Sequence, residues 1–369
     1  MKLLKVIISG GGTGGHIFPA ISIANEIKKN LPETEILFVG AKGRMEMEKV
    51  PSAGYEIQGL WISGLQRKLS FSNFLFPFKV ILSTIKARSI IKKFKPNIVI
   101  GTGGYASGPT LRAAASLGIP TLIQEQNSYP GITNKLLSKK VNSICVAYEG
   151  MEKFFPKEKI ILTGNPVRED ILHITENKSI AYDFFGINPD KKTILVIGGS
   201  LGARTINESI AANLFLFKEN NVQLLWQTGK TFFERAKNEI QKLEGKNCYA
   251  FDFISKMDLA YAVADIVISR AGASSVSELA VAAKPSILVP SPNVAEDHQT
   301  KNAMALVNKN AALIVKDSEA KAELVKLAID LLQNVEKQKE LSTNISKLAF
   351  KNACSEIVLK IFQLAGIKS

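Results

Sequence analysis

Four stretches of the chain place glycines directly after β-branched runs: Val6–His16, Ile98–Gly108, Leu195–Arg204 and Ile266–Ser275. Glycine permits a tight turn and lets an anion approach the backbone N–H groups that open the next helix. Four such turns imply more than one anionic ligand, or one long one. Gly10, Gly12 and Gly15 satisfy the dinucleotide pattern G-x-G-x-x-G, which is weak alone. A nicotinamide dinucleotide also needs an acid at the end of the second strand, where Ile36–Val39 runs instead into Gly40 and Ala41. There is no G-x-x-x-x-G-K-[ST] loop, which argues against ATP hydrolysis. The chain has no Asp-x-Asp pair, no C-x-x-C and three histidines. No metal and no cofactor is therefore expected, and diphosphate charge would fall to helix N-termini and to Arg168 or Arg204.

His16 stands just after the first glycine loop, where a helix should begin, and Pro19 suits that helix's first turn. A residue at the carboxyl end of an α/β strand points into the ligand crevice. His16 is thus the candidate general base or orienter of an acceptor hydroxyl, against the alternative of a polar helix start. Glu278 follows residues 272–277 and is expected about one turn into a helix. There it would accept from both hydroxyls of a ribose while the helix N-terminus faces a diphosphate. The alternative is a stabilising first-turn acid. Asp297, His298 and Gln299 follow a proline-rich loop, and any of them is placed to cap a helix from about Lys301.

Short apolar β-branched runs alternate with helical patterns, which predicts an α/β fold of parallel sheets. The first series comprises Leu4–Ser9, Ile36–Val39, Asn97–Gly101, Thr121–Ile123, Ser143–Val146 and Ile160–Leu162. The second comprises Thr193–Ile197, Gln223–Trp226, Cys248–Phe251, Ile266–Ser269 and Ser286–Val289. A length of 369 residues, at about 150 per domain, suggests two or three domains. Gly164 and Pro166 break regular structure after a strand, so 1–163 and 169–349 read as two domains joined by a hinge at 164–168. From Glu319 onward the pattern is helical. A last helix within 350–369, with Ile357, Val358, Ile361, Phe362 and Leu364 in helical spacing, is expected to join the first domain.

The net charge is +14, yet the sixty-eight residues between Glu56 and Glu125 contain no acid and nine of the basic residues. That window also holds Trp61, Phe71, Phe74 and Phe78. A helix of about 73–93 would set Phe74, Phe78, Ile81 and Ile85 along one stripe. The stripe either faces a core, with the basic residues of 67–95 solvated, or docks on an anionic membrane with aromatics inserted. Nucleic acid is disfavoured because the phenylalanines cluster in and before one helix rather than on a strand platform. Three widely spaced cysteines fit reduced thiols. No apolar run reaches the 18 residues a membrane span needs, and the N-terminal apolar run is too short for a secretory signal.

In order and spacing, Gly10–Pro19, Gly101–Pro109, Glu125–Asn127, Gly164–Arg168, Gly198–Arg204, Arg270–Glu278 and Asp297–Gln299 resemble the MurG family of bacterial glycosyltransferases. The resemblance covers essentially the whole chain. It implies a GT-B fold of two Rossmann-like, doubly wound parallel-sheet domains facing a cleft. It also implies inverting transfer of N-acetylglucosamine from UDP-GlcNAc to the C4 hydroxyl of N-acetylmuramoyl-pentapeptide on undecaprenyl diphosphate, lipid I becoming lipid II in peptidoglycan synthesis. The enzyme would sit peripherally on the cytoplasmic face of the inner membrane. Carried over by residue, Ser200 and Ala273, Ser274, Ser275, Val276 and Ser277 would line the donor's phosphate turn. Ile254 would meet the uracil through its backbone, Glu278 the ribose and Gln299 the sugar, with Arg168 at the hinge. Thr13, Gly14, Gly15 and Asn127 would reach the donor from the first domain. Gly12, Gly103, Gly104 and Tyr105 would cradle the acceptor's diphosphate, and His16 would activate its hydroxyl. Leu201 and His298 stand where relatives commonly carry glutamine. The alternatives within the fold are a diacylglycerol glycosyltransferase and a UDP-GlcNAc 2-epimerase.

Overall fold

The structure is a computed structural model that describes residues 3–64, 75–199, 202–243 and 247–367, and at 175–177 and 295 the backbone alone. It divides into two compact units, Met1–Val167 with Asn352–Ser369, and Arg168–Lys351. In the first unit the strands are β1 (Lys5–Gly10), β2 (Glu35–Ala41), β3 (Glu56–Leu60), β4 (Ile98–Gly103), β5 (Thr121–Glu125), β6 (Ser143–Val146) and β7 (Ile160–Leu162). They form a parallel sheet in the order β3-β2-β1-β4-β5-β6-β7. In the second unit β8 (Thr193–Ile197), β9 (Gln223–Gln227), β10 (Cys248–Phe251), β11 (Ile266–Ser269), β12 (Ser286–Leu288) and β13 (Leu313–Ile314) form a parallel sheet ordered β10-β9-β8-β11-β12-β13.

Parallel strands need crossovers, and the crossover helices cover both faces, so the strands read as continuous apolar runs. Val6, Ile7 and Ile8 are all fully buried, as are Ile194, Leu195 and Val196. Ile7 and Val99 belong to one apolar cluster of the first unit, while Val6, Ile8 and Ile98 belong to the other. This is the period-2 alternation of a sheet with a core on each side.

Helix α1 (Gly14–Asn30) leaves the β1 turn through Thr13, whose backbone is extended. Pro19 is the sixth residue of α1, inside the helix rather than in its first turn. Its missing N–H leaves the Gly15 carbonyl without the usual i+4 donor. After α2 (Glu46–Ser52), helix α3 (Phe76–Phe94) opens with Pro77 in its first turn, where proline is tolerated. α3 buries Ser83, Ala87, Ile90 and Ile91, whereas Phe78, Ile81 and Ile85 are 57%, 58% and 61% exposed. The expected stripe is therefore not a core face; Phe71, Phe74, Arg67 and Lys68 lie outside the described residues. Helices α4 (Ser107–Ser116) and α5 (Ile132–Leu137) follow β4 and β5.

The second unit carries α6 (Lys178–Phe185), α7 (Arg204–Ala212), α8 (Leu214–Glu219), α9 (Lys230–Lys242), α10 (Met257–Val263), α11 (Ala273–Val281), α12 (His298–Val307), α13 (Ala320–Gln333) and α14 (Val335–Ser346). The terminal helix α15 (Ala353–Ala365) packs on α1 in the first unit. It buries Ile357, Val358, Ile361 and Phe362. At about 1.5–3 kcal/mol for each fully buried large apolar side chain, that attachment is several kcal/mol gross. The change of unit falls after Val167. Asn165 is buried and fastened to the end of β5, its Nδ2 donating to Gln126 O at 2.9 Å while its Oδ1 accepts from Gln124 Nε2 at 2.9 Å. No helix among the described residues is long and apolar enough to cross a membrane.

Candidate functional site

In open α/β sheets ligands bind at the carboxyl ends of the strands where the strand order reverses. Those points are β1/β4 in the first unit and β8/β11 in the second. The four glycine turns are the loops that leave these four strands, so the two recurring motifs of each unit converge on one point. Each unit therefore carries its own candidate site.

In the first unit the β1 and β4 loops interlock. Gly11 N–H donates to Gly103 O at 3.3 Å, and a Cβ on Gly104 would collide with the Gly11 carbonyl. Gly103 and Gly104 have φ of +101° and +87°, conformations that other residues adopt only with strain. His16 lies on this platform. A Cβ at 103 would come within 2.8 Å of its Cδ2 and 2.9 Å of its Nε2. Its Nδ1 is 3.0 Å from Gly11 O. A carbonyl only accepts, so Nδ1 carries the proton and Nε2 is the basic nitrogen of the neutral ring. Thr102 Oγ1 donates to His16 O at 2.8 Å, and Ser107 Oγ to Ser9 O at 2.6 Å. Tyr105, 46% exposed, borders Gly12 and Gly64.

Not all of the first-loop amides face outward. Gly12 N–H donates to Glu46 Oε2 at 2.9 Å, so Gly12 meets a buried carboxylate with the group that was expected to meet a diphosphate. Gly14 and Gly15 open α1 behind Thr13; the His16 and Ile17 N–H groups donate to Thr13 O at 3.1 and 3.2 Å, so the N–H groups of Gly14 and Gly15 are the ones that precede the first intrahelical bond. Asn127 sits at the end of β5, held by Glu125. Glu125 Oε1 accepts from Asn127 N–H at 3.0 Å and from its Nδ2 at 3.2 Å, and Oε2 accepts from Asn134 Nδ2 at 2.8 Å. Glu125 is 1% exposed and organises the β5–α5 loop from below.

In the second unit Glu278 is the sixth residue of α11, beyond the first turn. Its Oε1 accepts from Arg168 Nε at 3.2 Å and its Oε2 from the Tyr261 hydroxyl at 3.2 Å. Burial pushes the Glu278 carboxyl above its ordinary range, against the pull of Arg168 and Tyr261. Burial, then the neighbouring carboxylate, holds Tyr261 well above its usual value, so it stays a donor. For Arg168 burial works downward, but Glu278 outweighs it and the guanidinium stays charged. The α11 N-terminus is capped by the extended backbone of Gly272 and has no acid in its first turn. The Ser274 hydroxyl is buried there with no hydrogen-bond partner among the described residues, an arrangement suited to an incoming anion.

Ile254 N–H donates to Gln227 Oε1 at 2.9 Å, and Gln227 Nε2 donates to Gly199 O at 3.1 Å, so one side chain ties the β10 exit to the β8 glycine loop. Gln299 Oε1 accepts from Ser291 N–H at 2.8 Å and pins the proline-rich loop. Helix α12 starts at His298, earlier than expected, and Asp297 precedes it in a left-handed conformation without a side-chain cap bond. Ala273, Ser274, Ser275, Val276 and Ser277 fall on α11, as Glu278 does. Ser200 and Leu201 lie outside the described residues.

In the first unit the structure thus brings His16, at the α1 start with Gly14 and Gly15 behind Thr13, against Gly103, and Tyr105 against Gly12, while Asn127 is held separately by Glu125; in the second it brings Arg168 onto Glu278, with Ser274 on the same helix, while Ile254 and Gln299 are placed by other contacts. Sequence patterns do not mark Glu46, Tyr261 or Gln227, because each bonds a group remote in sequence: Gly12 for Glu46, Glu278 for Tyr261, and Gly199 and Ile254 for Gln227. Among the described residues no group of three or more His, Cys, Asp or Glu is placed to hold a metal ion.

Comparison with known proteins agrees with this fold. Residues 6–146 match the glycosyltransferase family 28 N-terminal domain and residues 193–357 its C-terminal domain. A UDP-N-acetylglucosamine–N-acetylmuramyl-(pentapeptide) pyrophosphoryl-undecaprenol N-acetylglucosamine transferase from Flavobacterium psychrophilum is 57% identical, covering 99% of this chain and 98% of its own. The crystal structure of MurG from Acinetobacter baumannii superposes with a TM-score of 0.78 at 30% identity, over 98% of this chain and 99% of that one. A UDP-GlcNAc 2-epimerase from Neisseria meningitidis, bound to UDP-GlcNAc, shares the fold at 17% identity and a TM-score of 0.67, over 98% of this chain and all of its own. With both family 28 domains in order and a relative of this identity along its length, the chain belongs to glycosyltransferase family 28, on its MurG branch.

Proposed function

We propose that this protein transfers N-acetylglucosamine from UDP-GlcNAc to the C4 hydroxyl of the N-acetylmuramoyl group of undecaprenyl-diphospho-MurNAc-pentapeptide, making lipid II from lipid I with inversion. The observation that carries the reading is the 57% identity along 99% of the chain with a transferase named for that reaction. The second unit takes the donor. The α11 N-terminus and the Ser274 hydroxyl meet the diphosphate, and Ser200 adds to them. Glu278 keeps lone pairs for the ribose diol while Arg168 and Tyr261 hold it. The Ile254 N–H is already donated, so its carbonyl is the group offered to the uracil. Gln299 fixes the loop beside the sugar.

The first unit takes the acceptor. His16 Nε2 withdraws the proton as the hydroxyl attacks the anomeric carbon, and the bond to the UDP oxygen breaks in the same displacement. The leaving charge falls on donors already in place, which lowers the barrier more than groups recruited from solvent would. Gly103, Gly104 and Tyr105 receive the acceptor's diphosphate, and Gly12 shapes that loop. Asn127 completes the site under the control of Glu125.

Incubation with UDP-GlcNAc and a short-chain lipid I analogue should yield the disaccharide product. Turnover only with diacylglycerol, or epimer formation without acceptor, would sink the assignment. The exposed face of α3 supports a second part of the reading, peripheral docking at the cytoplasmic face of the inner membrane. Phe78, Ile81 and Ile85 stand out of the fold, and Lys79 lies 5.5 Å from the ring centroid of half-exposed Trp61. A basic residue near an anionic surface contributes about 1 kcal/mol. Phe78→Asp together with Ile81→Asp should lower binding to phosphatidylglycerol vesicles at least about tenfold while leaving turnover of a soluble acceptor analogue unchanged. Equal binding by the variant, or binding indifferent to anionic lipid, would remove this face from the docking surface.

A further inference from the structure

Glu46, at the start of α2, is fully buried. Its Oε2 accepts from Gly12 N–H and its Oε1 from Ala41 N–H, each at 2.9 Å. Two glycines make room for it: a Cβ at 11 would collide with the carboxyl group, and one at 40 would come within 2.6 Å of Cγ. Burying a carboxylate is expensive unless hydrogen bonds meet it, so the site is built around this group.

The peptide that Glu46 grips is the one that orients the histidine. Gly12 N–H and Gly11 C=O belong to a single planar peptide unit and point in opposite directions. One end of that unit donates to Glu46 and the other accepts from His16 Nδ1 at 3.0 Å. Fixing the N–H fixes the plane, and a hydrogen bond at one end of an amide strengthens the acceptor at the other. We propose that Glu46 is a positioning residue for His16, acting through the Gly11–Gly12 peptide to hold the imidazole with Nδ1 protonated and Nε2 basic. The proposal rests on the reading of His16 as the acceptor-activating base.

Glu46→Gln tests it, because an amide offers one accepting oxygen where two N–H groups need one each. In the full-length enzyme, kcat should fall about tenfold or more with the UDP-GlcNAc KM within about twofold. A weaker Nδ1–H bond favours the imidazolium less, so the acid limb of kcat/KM should move to lower pH. Nitrogen NMR of the histidine ring, which needs no substrate, should change from the Nδ1–H tautomer to a mixture. Gly40→Ala keeps the charge but crowds Cγ, and should move the same signals in the same direction by less. Three results would overturn the proposal: an unchanged kcat, a reduced kcat with unaltered histidine signals, or failure of both variants to fold. A wild-type rate in His16→Ala would instead defeat the base reading while leaving the NMR result intact, so the two failures are distinguishable.

Discussion

Replacing His16 with alanine is expected to lower turnover by about two orders of magnitude or more, with little change in the UDP-GlcNAc KM. A positioned general base contributes about 10²–10⁴ in rate, and His16 is built for that part. Its Nδ1 proton is spent on Gly11 O, and its other edge lies against the Gly103 backbone at the crossover of β1 and β4. Glu278, Ser274 and Ile254, which carry the proposed contacts to the donor's ribose, diphosphate and uracil, belong to the second unit, so donor affinity should not follow the histidine. His16→Asn, which can donate to Gly11 O but has no basic nitrogen, should be equally slow. With both substrates saturating, kcat should fall at acid pH as the base charges, and that fall should be absent from both variants. Steady-state rates across pH with saturating lipid I analogue check this. A variant within a few-fold of wild type would reject the base role.

The buried strands of both sheets are legible as apolar runs because parallel strands covered on both faces carry no polar alternation. The strands that escape are at sheet edges. β3 reads Glu56-Ile-Gln-Gly-Leu60, with Glu56 and Gln58 turned outward, and β13 is two residues long. Neither has the run that signals a strand. His16 and Glu278 are legible because a glycine turn announces the end of a strand and the start of a helix. Glu46 and Tyr261 are not. The peptide that Glu46 holds is 34 residues away, and Tyr261 reaches Glu278 across 17 residues from a wholly buried helix. Their value lies in what the fold brings beside them. The α3 stripe shows the converse case: spacing alone allows it to face inward or outward, and the exposure of Phe78, Ile81 and Ile85 decides for outward.

Glu278→Gln is expected to weaken UDP-GlcNAc binding about a hundredfold while changing kcat at saturating donor by less than tenfold. Hydrogen bonds to a charged acceptor are worth about 1.5–3 kcal/mol each, and the ribose diol would make two. Glutamine keeps one accepting oxygen, which Arg168 and Tyr261 already claim. Loss of the ion pair also leaves Arg168 without its carboxylate. With 34% of the arginine side chain exposed, solvent screening limits that cost to about 1–2 kcal/mol, so the variant should fold with a lowered Tm. The pH dependence gives a sharper test, because two trends oppose each other. Burial raises the Glu278 pKa above its ordinary value, so the carboxylate takes up its proton at a higher pH than an exposed glutamate would, and donor affinity should fall as pH falls through its titration. Stability should move the other way. A carboxyl that holds its proton more tightly folded than unfolded favours the folded state increasingly as pH falls through the folded pKa towards the unfolded one. In Glu278→Gln this group's share of both trends should vanish. Calorimetric titration with UDP-GlcNAc from neutral to mildly acid pH, paired with thermal melts in the same buffers, reads both. Donor affinity in Glu278→Gln equal to wild type would remove Glu278 from the ribose site and leave it as the partner that holds Arg168.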